Sequence, residues 1–220
     1  MLALMLIAAA PLPDTVLDGS RLREGSACYA LTRADKPIGQ TWQRVLAAME
    51  GDIPVWDVVV HQRVGDGKFD MRDHFVLRRA DLRPLRMDSR RNGTEHVRVR
   101  YDGLAIEVTQ VGKPTTKVSA PGPVWDGNLW GLTFTALPLA EGGAYTVPFF
   151  QYDKGLGSFT LKVVGSAQVQ GRKAWLVDVD AGDGRTVRYQ IGKAPAEELG
   201  TESPMFGQHF GGDCTALAEP

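Results

Sequence analysis

The side chains most often used for acid–base or metal chemistry are few and scattered in this sequence. The four histidines are His61, His74, His96 and His209, and none has a partner at HxH or HExxH spacing. Asp73 precedes His74, but adjacent strand residues point to opposite faces, so the two do not form a dyad. The spacing therefore predicts no catalytic residue and no metal site, and we expect no cofactor.

Two segments of the sequence carry several acidic residues close together. Residues 178–184 read DVDAGDG, whereas a calcium loop requires acids at alternate positions and a Glu at its twelfth position, which here is Tyr189. A turn between two strands explains this segment better. The neighbouring acids Glu197 and Glu198 are interpreted as part of a charged tail.

The chain contains two cysteines, Cys28 and Cys214, close to its opposite ends. An even number in an exported protein favours a disulfide, which over so long a loop would stabilise the fold by roughly 4–5 kcal/mol. Two separate thiols are the alternative. Neither cysteine lies in a CxxC pair or beside a histidine at ligand spacing.

The N-terminus, MLALMLIAAAPLPD, has an apolar run followed by small residues, as in a secretory leader. The run is too short for a transmembrane helix, which needs about 20 residues. We therefore expect residues 1–20 to be a leader and the protein to be exported to the periplasm. An ordinary hydrophobic N-terminus is the alternative.

Composition favours one globular domain. The chain has 220 residues, of which 43% are hydrophobic and 23% charged, with a formal net charge of −1. A near-neutral chain lacks the basic surface that nucleic acids require, so no nucleic-acid partner is expected. The 25 glycines and 13 prolines are typical of short strands joined by turns.

Most of the chain alternates between apolar and polar residues, as half-buried strands do. In residues 69–78, Phe75 and Leu77 share one face while His74 and Arg78 share the other. Asn92-Gly93 predicts a tight hairpin. We predict a sheet domain over residues 21–195 and an extended C-terminal tail over 196–220, tied down by the disulfide.

Residues 124–143 are the one segment with a helical period. Trp125, Leu129, Leu132 and Ala136 recur at helical spacing, while glycines weaken the helix. Such a short apolar helix is not stable in water by itself, so it must pack against another part of the protein. The predicted fold is mainly β: a single strongly curved antiparallel sheet, an open or incomplete β-barrel of about 10–11 strands, with one short helix packed against its concave face. A closed barrel is the alternative.

Aromatic side chains are more abundant than a flat sheet requires. They either fill a solid core or line a cavity that accepts a lipid or acyl chain, and both interpretations remain open. The residues concerned are Trp42, Trp56, Trp125, Trp130, Trp175, Phe149, Phe150 and Phe159.

Several motifs resemble a family of Gram-negative envelope proteins. They are LRPLRMDSRRNGTEHVRVRYDGLAIEV, LPLAEGGAYTVPFF, VVGSAQVQGRKAWLVDVD and VRYQI, within about residues 40–195. Members of that family are similar to the LolA- and LolB-type periplasmic lipoprotein carriers, whose open barrel holds acyl chains. The resemblance implies that certain apolar residues face the sheet or a cavity: Leu85, Tyr101, Trp125, Trp130, Leu132, Phe134 and Trp175.

With Trp56, the last six of these form the candidate ligand cavity. The resulting functional expectation is a non-enzymatic periplasmic protein that binds a lipid or acyl-chain ligand, or an envelope protein partner, in the hollow of the sheet. A hydrolase with a site around His74 on the polar strand face is one alternative. A protein-interaction module with only a structural role is the other.

Overall fold

The computed structural model describes residues 17–182, 184–204 and 206–218. The first eight strands form a meander: β1 (Gly25–Arg33), β2 (Lys36–Glu50), β3 (Ile53–Val64), β4 (Phe69–Arg78), β5 (Pro84–Arg91), β6 (Thr94–Asp102), β7 (Ala105–Gln110) and β8 (Thr116–Ser119). The remaining elements are β9 (Trp125–Asp126), α1 (Trp130–Thr135), β10 (Ala144–Gln151), β11 (Gly155–Val169), β12 (Arg172–Asp180), β13 (Thr186–Gly192), β14 (Glu198–Glu202) and β15 (Gly207–Phe210). A single turn of 3-10 helix, Gly19–Arg21, precedes β1.

All of these strands belong to one sheet. Its spatial order runs from β8 back to β1, then from β15 back to β9. Neighbouring strands are antiparallel except β9 and β10, which are parallel. Because β8 and β9 are its two edges, the sheet is not closed into a barrel. The predicted fold class is confirmed.

The strand count differs from the prediction, because the described residues form 15 strands rather than 10–11. The additional strands are short and carry weak alternation, as β8 and β9 show. The Asn92-Gly93 hairpin is confirmed: both residues have positive φ, 49° and 78°, between β5 and β6. In the turn between β6 and β7, Leu104 is 44% exposed, whereas Ile106 of β7 is buried.

The C-terminal segment is not the extended tail that the sequence suggests. Its strands β14 and β15 lie inside the sheet, between β13 and β1, and so join its two halves. After β15, the chain crosses to the convex face, where Cys214 and Leu217 pack against Trp42 and Val59. The Cys28–Cys214 disulfide is present and fixes this crossing.

The concave face holds the main core. Ile106 of β7 and Phe149 of β10 belong to the same cluster although their strands lie near opposite edges of the sheet. The sheet must therefore curl around its apolar face. Leu17, within the expected leader 1–20, is buried in this core, so the folded domain includes residues 17–20. Residues 1–16 of that leader lie outside the described part.

The helix packs on the concave side, as predicted, but it is shorter than residues 124–143. It spans Trp130–Thr135 and lies against β13 and β14. Trp125, expected on the helix, pairs with Phe149 in the β9–β10 ladder. A side chain on Gly127 would overlap the Phe149 ring, so the chain approaches β10 closely before the helix begins. No helix in the described residues is long and apolar enough to cross a bilayer.

Candidate functional site

The convex face around His74 is a network of opposite charges. His74 Nε2 lies 2.7 Å from Asp57 Oδ2, and Arg100 donates to Asp88 at 3.0 Å. The bond from His74 holds the pKa of Asp57 below its usual range. Asp73 points to the opposite, buried face, which agrees with the expectation that it does not pair with His74.

A groove of about 430 Å³ crosses this network, and we call it the convex groove. It is lined by Arg72, His74, Asp88, Ser89, Arg90, Glu95, Arg98 and Arg100. Arg98 contacts Glu95, and Arg86 donates to Asp88 at 2.9 Å, so the basic groups largely neutralise the acids among them. The groove is therefore a surface of paired charges that includes His74.

The concave face contains a cavity of about 260 Å³ beside the helix, which we call the Trp130 cavity. It lies between α1 and the strands at the middle of the sheet. Its apolar walls are Val60, Met71, Leu129, Trp130, Leu132, Val187 and Phe206. Its polar walls are Tyr29, Thr41, Gln43, Gln62, Asn128, Tyr189, Glu198, Thr201 and Gln208, and Gly131 completes the lining.

A second cavity of about 230 Å³ lies on the other side of a narrow partition, and we call it the Pro195 cavity. It is lined by residues 22–27 and 195–198, together with Tyr29, Gln43, Val45, Leu132 and Thr135. The two cavities share Tyr29, Gln43, Leu132 and Glu198. These four residues therefore form the partition between the two spaces.

The seven predicted cavity residues fall into two groups in the structure. Trp130 and Leu132 line the Trp130 cavity. The other five line neither cavity: Trp56, Tyr101, Trp125, Phe134 and Trp175 belong to the main core or pack against it.

Ring packing and hydrogen bonds explain why those side chains fill the core rather than line a cavity. Phe134 stands edge-on to Phe159 and Tyr189, with ring centroids 5.3 and 5.0 Å apart. The indole N–H groups of Trp56 and Trp125 donate to backbone carbonyls at 3.0 and 2.8 Å. Ring contacts fix Phe134, and hydrogen bonds fix Trp56 and Trp125, so these three side chains are held inside the core.

Polar side chains occupy strand positions that face the hollow. Thr41 and Gln43 alternate with outward residues on β2, and Gln62 pairs opposite Thr41 on β3. Gln208 of β15 lies opposite Thr201 of β14. Strand alternation thus directs hydrogen-bonding groups toward the same concave face that carries aromatic residues elsewhere.

Glu198 reaches this face because β14 contains a bulge. Gln190 pairs with Gly200 and Ile191 pairs with Glu198, so Leu199 is the extra residue. The bulge restores Glu198 to the face of Thr201, three residues further on. Gly200 is required here, because its φ is 151° and a side chain would overlap the backbone of Gln208.

The Glu198 carboxylate is enclosed. Its residue is 7% exposed, and the Gln208 amide donates to Oε1 at 2.9 Å. A Cβ at Gly131 would overlap the carboxylate, so the absence of a side chain on α1 makes room for it. Burial raises the pKa of Glu198 to about 7, although the bond from Gln208 opposes that rise.

A second set of buried acids lies near β9. Asp126 accepts the Tyr101 hydroxyl at 2.8 Å and the backbone N–H of Asn128 at 2.8 Å. Burial nevertheless raises the pKa of Asp126. Asp73, 4% exposed on β4, has a pKa raised to about 6 by burial, while Arg91 partly offsets that effect. Asp126 links β9 to β6 through Tyr101, and neither acid lines either cavity.

Sequence reasoning missed Glu198, because it assigned the pair Glu197–Glu198 to a solvated tail. On a strand, two adjacent acids point to opposite faces. Glu197 forms an ion pair with Arg172 and lines the Pro195 cavity, whereas Glu198 points into the Trp130 cavity. In the described residues, no cluster of His, Cys, Asp or Glu is arranged to hold a metal ion.

The comparisons with known proteins bear on the fold and on the family. A crystal structure of a beta-barrel-like protein of domain of unknown function DUF1849, from Brucella abortus, matches with a TM-score of 0.54 and 10% sequence identity. The match covers 84% of this chain and 93% of that one, and at this identity it shows the fold alone. Curated proteins yield no match. The family described as "Protein of unknown function (DUF3108)" matches residues 28–199, and the chain belongs to that family.

Proposed function

We propose that this protein is a non-enzymatic binding protein of the Gram-negative periplasm that holds a small amphipathic ligand in the Trp130 cavity. The observation that carries the proposal is the composition of the cavity wall. One side is apolar, with Trp130 and Leu132 of the helix, and the other side carries amide, hydroxyl and carboxyl groups from six strands. A ligand with an apolar part and a polar part matches both sides.

Several groups on the polar side bond to each other, as Gln62 does to Thr41, but one side-chain amide has no protein partner. Burying an amide or hydroxyl without a full set of hydrogen bonds destabilises a fold, and an apolar side chain would pack better. Gln43 is 8% exposed, and its side-chain amide has no hydrogen-bond partner among the described residues. Its amide is therefore available to a molecule inside the cavity.

The volume limits the ligand to a small molecule. A cavity of about 260 Å³ holds roughly eight or nine water molecules at ~30 Å³ each. Many ligand pockets are larger, at roughly 300–1,000 Å³. The Pro195 cavity, behind Leu132 and Glu198, offers a further 230 Å³ for part of a longer ligand.

The periplasmic location is supported by two features. The Cys28–Cys214 disulfide suits an oxidising compartment. The curved sheet around a helix resembles that of periplasmic lipoprotein carriers, which hold acyl chains. In this chain the helix is six residues long and the aromatic core is filled, so the ligand is smaller than a full lipid.

Binding of 1-octanol, followed by isothermal titration calorimetry, tests the proposal. Gln43→Met keeps the side-chain length and removes the amide, so octanol affinity is expected to fall about fivefold, the effect of one neutral hydrogen bond. Gln40→Met on the opposite face of the same strand is the matched control and leaves affinity unchanged. If octanol, octanoate and octylamine all fail to bind, the proposal is wrong.

A further inference from the structure

Glu198 is the one carboxylate in the lining of the Trp130 cavity. That lining contains no Lys, Arg, His or Asp, and its other ionisable groups are the phenols of Tyr29 and Tyr189. Among the described residues, the cavity therefore offers its acid no cation from its own walls. A buried carboxylate without a cationic partner is complementary to a positively charged ligand group.

The surroundings of Glu198 hold the carboxylate in place. Gly131 leaves the space that it occupies, and Gln208 holds one of its oxygens. The bulge at Leu199 turns its side chain inward. Each of these features would be unnecessary for a solvated acid, so β14, β15 and α1 together build a fixed position for one buried carboxyl group.

Aromatic rings surround the same space. The indole of Trp130 and the rings of Tyr29, Tyr189 and Phe206 line the cavity with the carboxylate. Aromatic faces attract ammonium groups, with a larger effect where water is excluded. A carboxylate and several rings in one small cavity are the recognised elements of an ammonium site.

We propose that the polar group of the ligand is an ammonium that pairs with Glu198 between the rings of Trp130, Tyr29 and Tyr189, so that the ligand class is a small amphipathic amine. This inference rests on the proposed function and names the chemistry of its ligand. The apolar part of the amine would lie against Leu129, Leu132 and the other apolar walls of the cavity.

Ligand charge and proton occupancy are coupled at this site. Without a ligand, burial keeps the pKa of Glu198 near 7. The groups facing it are Tyr29 from β1 and Tyr189 from β13, whose phenol pKa values are raised by burial. An entering ammonium favours the ionised carboxylate, so Glu198 releases its proton to solvent on binding.

Further charges lie beyond the partition. Glu197 pairs with Arg172, and Arg23 and Glu24 line the Pro195 cavity. These acids and bases are balanced, and they contribute no resolved shift to the pKa of Glu198. The pH dependence of amine binding is therefore expected to follow Glu198 itself.

Three probes with the same alkyl chain separate the head-group chemistry from binding as such. Calorimetry with octylamine, octanol and octanoate at about pH 8 is expected to show octylamine bound at least about tenfold more tightly than octanol, the effect of a charge-assisted bond. Between about pH 8 and about pH 5.5, octylamine affinity is expected to fall by about 30-fold as Glu198 takes up a proton. Octanol affinity is expected to change little.

Glu198→Gln should abolish both the preference for octylamine and its pH dependence, while octanol still binds. Glu202→Gln is the matched control, because Glu202 is exposed on the same strand and points to the other face. Should Glu198→Gln fail to fold, the pH profile of the unmodified protein still decides the question.

The outcomes distinguish the two proposals. Binding of octanol or octanoate with no preference for octylamine overturns the ammonium inference and leaves the proposed function standing. Failure of all three probes overturns the proposed function together with the inference. Octylamine binding that does not change with pH also contradicts the inference, because the ammonium would then pair with a group other than Glu198.

Discussion

The concave face of the sheet is built in two ways on either side of the helix. Toward β10–β12 it is solid: Phe149 and Phe159 lie 4.2 Å apart between ring centroids, and Leu161 and Val177 are fully buried. Toward β1, β2, β14 and β15 it is polar, and it leaves the Trp130 and Pro195 cavities open. We call these the aromatic half and the polar half.

The two halves of the sheet therefore have different roles. The aromatic half contributes most to stability, and the polar half holds the proposed binding site. Both halves follow the same strand alternation, so backbone geometry does not distinguish them. In the aromatic half, large rings remove free volume and supply most of the hydrophobic stabilisation. In the polar half, Gln43 and Glu198 prevent such packing, so this half depends on its neighbours and on the disulfide for its position.

Removing the disulfide is expected to have the largest effect. The bond joins cysteines 186 residues apart, so the double variant Cys28→Ala/Cys214→Ala should lose about 5 kcal/mol of unfolding free energy in the chain-entropy model. Because the bond anchors the chain directly after β15, hydrogen exchange should accelerate more in β14 and β15 than in β11 and β12.

Chemical denaturation and amide exchange of the oxidised protein and the double variant measure both effects. The oxidised protein treated with a reductant serves as a second comparison without any substitution. Equal loss of protection in β11 and β15 would contradict the idea that the two halves are held by different means.

Truncating one ring in each half compares the halves directly. Phe159→Ala removes a side chain that is 1% exposed and touches three other rings, and it should lower the unfolding free energy by about 3–5 kcal/mol. Phe206→Ala in the polar half is the matched change. Phe206 is 40% exposed, so its loss should be below about 1 kcal/mol.

Urea unfolding of both variants provides the measurement. Octanol affinity should fall more in Phe206→Ala than in Phe159→Ala, because Phe206 lines the Trp130 cavity and Phe159 does not. A large destabilisation by Phe206→Ala would show that the polar half is packed as tightly as the aromatic half.

Strands with regular alternation were easier to predict than β14 for physical reasons. Strands such as β4 alternate regularly, so Phe75 and His74 could be assigned to opposite faces from sequence alone. The bulge at Leu199 breaks this alternation in β14, and the pattern of Glu198 to Glu202 then resembles a loop. Two adjacent acids carry no information about which one is buried.

The type of a residue also does not show whether its side chain lines a cavity or fills the core. Trp56 and Trp130 are the same amino acid, yet Trp56 is 2% exposed in the core while Trp130 borders a cavity. Which of the two outcomes occurs depends on how closely facing strands and the helix approach one another. That separation is set by many residues together, so no local pattern encodes it.

The smallest of the three stability effects concerns the pH dependence of the polar half. The folded-state pKa of Glu198, about 7, lies above its ordinary value of 4.5, so its neutral form favours the folded protein. This contribution is fully present below about pH 4.5 and is lost as the pH rises to about 7. At 1.36 kcal/mol for each pH unit, the loss is about 3 kcal/mol.

Unfolding free energies of the unmodified protein and Glu198→Gln, measured between about pH 4 and about pH 8, isolate this contribution. The difference between the two curves removes the effect of Asp73, whose pKa of about 6 makes a similar contribution in both proteins. The unmodified protein should lose stability relative to the variant through this range and then stay level. A flat difference would mean that water reaches Glu198 in the folded state, so that the polar half is open to solvent and the carboxylate is not held for a ligand.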